Sequence, residues 1–191
     1  MEVTTPILQP VYGGAYAKPF KTYVNALKKE YYLRISPELY LKRLLVGGYS
    51  KVFEIAQNFR NEDIDAEHNP EFTMIEIYWA YADYNDMMSL TEKLIKKSAE
   101  SIGVKEINFR GHKISLRNFR RKDFYELLEE HGISRDISDE KIQQLLKEYK
   151  VKIPSYSRGY ALGKLFEKVC EESLIQPTFV IDYPQETTPL C

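Results

Sequence analysis

The chain has 191 residues, with 27 Lys and Arg against 28 Asp and Glu and a formal net charge of -1. That balance argues against a domain that grips nucleic acid by bulk charge alone, although it leaves room for a local basic face. Cys170 and Cys191 lie far apart without zinc-ligand spacing, no apolar run approaches the roughly 18 residues of a membrane span, and no signal peptide opens the chain, so free thiols and a soluble, cytoplasmic protein are expected.

Met1 to Leu8 reads as a strand, with Pro6 more tolerable near an edge than in a central ladder. Gly13 and Gly14 mark a bend, and the extended run AYAKPF follows, where Lys18 is as plausibly solvated as near a phosphate. Tyr31 to Ile35 is a further strand. SPELYLKRLLVGG predicts a helix over 36–48: Ser36 caps it, Pro37 suits the first turn, Glu38 is a first-turn acid, and Gly47 and Gly48 stop it. Leu41, Leu44 and Leu45 make its inward stripe.

Val52 to Ala56 then forms a short, largely apolar run. From Phe72 to Trp79, Thr73, Ile75, Ile77 and Trp79 share one face and Met74, Glu76 and Tyr78 the other. The two runs pair best as a long antiparallel hairpin whose polar tip, Asn61 to Pro70, is far longer than the usual two to five residues. Residues 83–101 read as an amphipathic helix with Met87, Leu90, Leu94 and Ile95 as its stripe, and a second hairpin turns around Arg110 to Lys113.

Between 117 and 158 two helices are separated by Gly132, with Asp123 and Ser138 as caps. Arg117, Arg120, Arg121 and Lys122 form the most basic short patch, readable as a polar face or as a tRNA contact diluted by the acidic helix beside it. A further helix covers 161–175, and PTFVIDYP at 177–184 runs into the sheet. With no low-complexity segment, repeat or long linker, residues 1–191 are expected to form one domain.

A long loop on a strong hairpin is a place for ligand contacts. Arg60 offers a planar fork to phosphate or carboxylate, Glu62 an acceptor for an amine, and Glu76 with Tyr78 an acid and a phenol on one face. The competing reading is plain: solvated charges at Arg60 and Glu62, a core ring at Phe72, and a Glu76 that faces water. Residue types alone do not choose between them.

The motifs add a resemblance. FRNED at 59–63, HNPEFTMIEIYWAYADY at 68–84, YLRISPELYLKRLLVGGYSKVFEI at 32–55, GGAYAKPF at 13–20 and PTFVIDYPQETTPLC at 177–191 together resemble the catalytic domain of class II lysyl-tRNA synthetases. The order and spacing are far more specific than any piece. The resemblance implies an α+β fold, an incomplete class II aminoacyl-tRNA synthetase-like antiparallel sheet with helices packed on one side. It implies ATP as cofactor and lysine as substrate. Arg60 would be the catalytic arginine, holding the ATP α-phosphate and the amino-acid carboxylate. Glu62 would meet the adenine amino group, His68 the outer phosphates and Phe72 the adenine ring. Glu76 and Tyr78 would receive the lysine ε-amino group, Glu38 the α-amino group, and Gly14 would let the amino acid approach the backbone. Asp63 stands where the family usually has glycine, placing a negative charge in the phosphate-facing loop.

Such synthetases also carry an anticodon-binding barrel, a helix before the first strand, magnesium carboxylates and a further ATP-binding arginine, none of which matches a segment of this chain. The resemblance thus leaves magnesium open as a second cofactor while its usual ligands are unmatched here, and no metal-ligand set is assigned. The expected protein is a lysyl-tRNA synthetase-like module with a partial adenylate site, weak or inactive alone in amino-acid activation and completed by a homodimer mate or another polypeptide. The alternative is a noncatalytic paralogue that binds a metabolite, a protein or tRNA. Lysine or a related cationic amine is the expected small partner, and a membrane is not.

Overall fold

The computed structural model describes residues 1–66 and 68–188. Glu67 in the hairpin loop, and Pro189, Leu190 and Cys191 at the end of the last motif, lie outside the described residues. The chain divides into two compact units, Met1–Asp83 and Tyr84–Cys191.

In the first unit, β1 (Leu8–Gln9), β2 (Lys21–Val24) and β3 (Lys29–Leu33) form an antiparallel sheet in the order β1-β3-β2. The β2–β3 turn is closed by Leu27 N–H donating to Val24 O at 3.1 Å, with Lys28 at φ 49°. Helix α1 (Glu38–Val46) follows, and β4 (Lys51–Phe59) and β5 (Glu71–Trp79) make the long antiparallel hairpin. Its register pairs Val52 with Tyr78, Glu54 with Glu76, Ala56 with Met74 and Asn58 with Phe72. Arg60 N–H donating to Pro70 O at 2.8 Å carries the pairing one step beyond the strands. Strand alternation buries the β4 members of these pairs and half-buries the β5 members. Ile55 and Ile75 pair on the opposite face, 61% and 50% exposed.

The expectation for the first strand of this unit fails. The run from Met1 to Leu8 is not a continuous strand: Glu2 makes a parallel bridge to Phe53, and only Leu8–Gln9 reaches β3. Pro6 has no N–H to give a ladder. Just before it, Thr5 turns both its N–H and its hydroxyl onto the Glu54 carboxylate, at 3.2 and 2.7 Å.

In the second unit, α2 (Tyr84–Ser101) leads to the antiparallel hairpin β6 (Glu106–Phe109) and β7 (His112–Ser115), turned by Arg110 and Gly111 at positive φ. Next come β8 (Arg120–Asp123), α3 (Phe124–Glu130), α4 (Asp139–Glu148), α5 (Arg158–Val169), a 3-10 turn and β9 (Thr178–Ile181). Phe124, Leu127, Leu128, Ile142, Leu162, Leu165 and Phe166 fill the core between the helices, with Phe124 stacked on Phe166 at 4.7 Å between ring centres. Asp123 and Ser138 cap their helices as expected.

Three expectations here are corrected. In α2 the buried positions are Met88 and Ala99, while Leu94 and Ile95 are exposed. Lys96 and Glu92, ion-paired at 2.6 Å, lie along the line from Met88 to Ala99, so alkyl stems stand where the apolar pattern looked for leucine. Helix α5 starts at Arg158, ahead of Ala161, because Ser157 accepts from the Tyr160 N–H. The basic run RRKD is a strand, and it pairs in parallel with β9, the one parallel ladder among the described strands. Two of its cations face acids, Lys122 with Glu130 at 2.6 Å and Arg121 with Glu92 at 3.8 Å, which favours the polar-face reading of that patch. The α+β architecture of antiparallel sheets with packed helices is the one expected.

Candidate functional site

The inward face of β5 presents Phe72, Met74, Glu76 and Tyr78 in succession, so the site has two ends, Phe72 lying about 13 Å from Glu76 and about 20 Å from Tyr78 at strand rise. At one end, Ser36 Oγ donates to Glu76 Oε1 at 2.7 Å and accepts from Glu38 N–H at 3.0 Å. Tyr78 Oη donates to Glu76 Oε2 at 3.2 Å and also lies in the field of Glu38. Burial first, and then the negative fields of Glu76 and Glu38, push the phenol far above its ordinary range and keep it a donor. Gly14 closes this end at φ 89°; a Cβ there would stand 2.7 Å from Glu38 Cβ and 3.1 Å from Ser36 Oγ. Four predicted residues, Gly14, Glu38, Glu76 and Tyr78, are thus brought together around Ser36. Two carboxylates and a phenol, half-buried and aimed at one another, suit a ligand carrying ammonium groups.

At the other end, Arg60, Glu62, His68 and Phe72 line one cavity of about 350 Å³ with Asp63 and Asn69. The Arg60 guanidinium lies over the Phe72 ring at 5.1 Å, and its Nε donates weakly to Ile35 O at 3.5 Å. Glu62 accepts from Lys18 N–H at 3.3 Å, while Asn61 N–H donates to Lys18 O at 2.8 Å, so the Gly13–Phe20 segment is clipped to the loop's entrance. His68 is held by Asp65, ring Nδ1 to carboxylate 2.9 Å. A cation, a flat ring and an imidazole around one space suit a nucleotide's phosphates and base. A separate cavity of about 390 Å³ in the second unit is lined by Lys96, Lys105 and Arg117 among others; it contains none of the residues expected to meet ATP or lysine, and Arg117 belongs to the basic patch.

Sequence reasoning missed several contributors. Ser36 was read only as a helix cap, yet Pro37 occupies the cap position and the Ser36 hydroxyl links the Glu76 carboxylate to the backbone N–H of Glu38. Lys42, one helical turn beyond Glu38, holds that carboxylate at 2.6 Å, and the i,i+4 spacing was the available signal. On the same face, from β4, Glu54 accepts from Arg34 at 2.6 Å, and Arg34 also donates to Gln57 O at 2.7 Å, a buried pair that alternation alone does not reveal.

The sequence pattern of the family described as tRNA synthetases class II (D, K and N) matches residues 1–191. The chain belongs to this family. Among relatives of this class II chain, the lysine–tRNA ligase of Saccharolobus solfataricus is 50% identical over 204 residues, covering 100% of the chain and 40% of the relative. The enzyme of the same name from Sulfolobus acidocaldarius is 52% identical over 206 residues, and that of Methanoculleus marisnigri 51% over 196, again covering all of this chain. The class II chain therefore spans about 40% of the length of these relatives.

Proposed function

We propose that the chain carries the ATP- and lysine-binding face of a lysine-activating class II synthetase core, with residues 1–191 as one functional domain. The observation that carries this reading is the Glu76 carboxylate held by the Ser36 hydroxyl and the Tyr78 phenol, with the Glu38 backbone N–H bonded to that same Ser36 hydroxyl, on the same strand face as the cavity holding Arg60 and Phe72. In this reading Glu38 takes the α-amino group and Glu76 with Tyr78 the ε-amino group. Arg60 meets the α-phosphate and the carboxylate, Phe72 the adenine ring, Glu62 its amino group and His68 the outer phosphates.

Among the described residues that line the cavity, Arg60 is the sole Lys or Arg. Forming an adenylate concentrates charge at phosphorus and needs several preorganised positive groups, so turnover by this chain alone is expected to be slow. Among the described residues no three His, Cys, Asp or Glu side chains converge as metal ligands. The single cation also favours the second reading, a module that binds without turning over.

Titration calorimetry with ATP and with lysine, beside lysine-dependent ATP–pyrophosphate exchange, separates these readings. Binding of both ligands, abolished for ATP by Arg60→Ala and for lysine by Glu76→Gln, supports the proposal. Failure to bind either ligand overturns it. Binding without exchange selects the second reading. For partners, we infer association with a second copy or a complementing polypeptide, the exposed Ile55 and Ile75 pair marking apolar surface. A mass fixed at one chain across high micromolar concentrations in light scattering would refute self-association.

A further inference from the structure

Lys42 sits on a carboxylate that the site needs. Its Nζ lies 2.6 Å from Glu38 Oε1, and the two side chains are 58% and 22% exposed, so the ammonium reaches the inward-facing acid from the solvent side of α1. Glu38 also acts electrostatically on Tyr78, whose hydroxyl donates to Glu76. The charges at this end are therefore two carboxylates and one tethered ammonium, with Ser36 Oγ and Tyr78 Oη supplying the neutral donors on Glu76. Glu76 is met only by hydroxyls among its described partners, whereas Glu38 already carries a primary ammonium of the same chemistry as the proposed ligand.

We infer that Lys42 is a built-in competitor for the α-amino subsite and a determinant of how strongly the site takes diamino ligands over monoamines. This rests on the reading above, in which Glu38 and Glu76 receive different amino groups. A ligand that needs both carboxylates must displace or share the Lys42 ammonium, and a ligand that needs Glu76 alone need not. The pair is an exposed i,i+4 contact, so its displacement is a modest effect that tunes affinity and does not block the site. The attraction is screened by salt, so the effect is largest at low ionic strength.

The test compares the full chain with K42Q by calorimetry, using L-lysine and 6-aminohexanoate, which is lysine without its α-amino group. Lysine is expected to bind K42Q about two- to fivefold more tightly at low salt, with the gain shrinking at high salt, while 6-aminohexanoate changes by less than about 1.5-fold. Equal affinity of lysine for both proteins overturns the inference, and so does weaker binding of both ligands, which would make Lys42 a structural support. E38Q in the K42Q background should abolish the gain, and a gain that persists there also overturns it. If neither protein binds lysine, the underlying reading of the site fails together with the inference, an outcome distinct from equal affinity.

Discussion

Glu54 and Glu76 face one another across the β4–β5 ladder but are held by different groups. Glu54 accepts from the Arg34 guanidinium at 2.6 Å, in a pair whose side chains are 4% and 3% exposed, while Glu76 is met by the hydroxyls of Ser36 and Tyr78. One acid is thereby closed into the fold, and the other is the one we propose for an ammonium ligand. The expected consequence of Arg34→Met is a loss of about 3–5 kcal/mol, because it strands a buried carboxylate. The double variant Arg34→Met/Glu54→Met should recover most of that loss, since apolar replacement of a whole buried pair is often neutral. Urea denaturation monitored by circular dichroism measures both.

Gly14→Ala should damage the amine end specifically. The backbone is at φ 89°, and the new Cβ would press on Glu38 and Ser36. A stability loss of about 1–2 kcal/mol is expected, with lysine affinity falling more than ATP affinity. Calorimetry with the two ligands on the same preparation checks the asymmetry; an equal loss for both would contradict it.

Phe72→Ala should weaken ATP binding by about tenfold, given roughly 1–3 kcal/mol for stacking a base on an aromatic ring. Phe72→Trp should retain affinity and report nucleotide through quenched emission. Tight ATP binding by the alanine variant would remove Phe72 from the site.

Cys170 should resist alkylation in the folded protein. Burial above all, with Glu130 and Glu171 adding to it, raises its thiol from 9.0 to about 11. The folded state therefore holds this proton more tightly than the unfolded one. The stabilisation is fully present below pH 9 and is lost as pH rises from 9 towards 11, on the order of 2 kcal/mol in total. Iodoacetamide labelling at pH 8, mapped by peptide mass, should leave Cys170 unmodified until denaturant is added, and the midpoint in urea should fall between pH 9 and 11.

The hairpin, α1 and two helix caps were legible because each has a strong local signature: alternation, a first-turn Pro-Glu pair, and Asp or Ser before an apolar run; the grouping of the site residues rested on the family resemblance, since residue types alone did not choose. What escaped depended on partners distant in sequence. Glu54 in an apolar strand looks out of place until Arg34 and Thr5, 20 and 49 residues away, close on it. RRKD has no apolar alternation to mark a strand and becomes one only through its ladder with Thr178–Ile181. The face of α2 was misjudged because the stems of Lys96 and Glu92 occupy positions where a hydrophobic pattern expects leucine.

The clip between the Gly13–Phe20 segment and the hairpin loop uses only main-chain atoms of Lys18: its carbonyl receives Asn61 N–H and its amide meets Glu62. Pro19 already biases Lys18 towards extended backbone. An alanine scan would therefore pass over position 18 in silence, because it replaces a side chain that the clip does not use. Proline at 18, or an ester in place of its amide, would delete the donor and uncouple Glu62 from that segment, exposing a connection that ordinary mutational maps would score as tolerant.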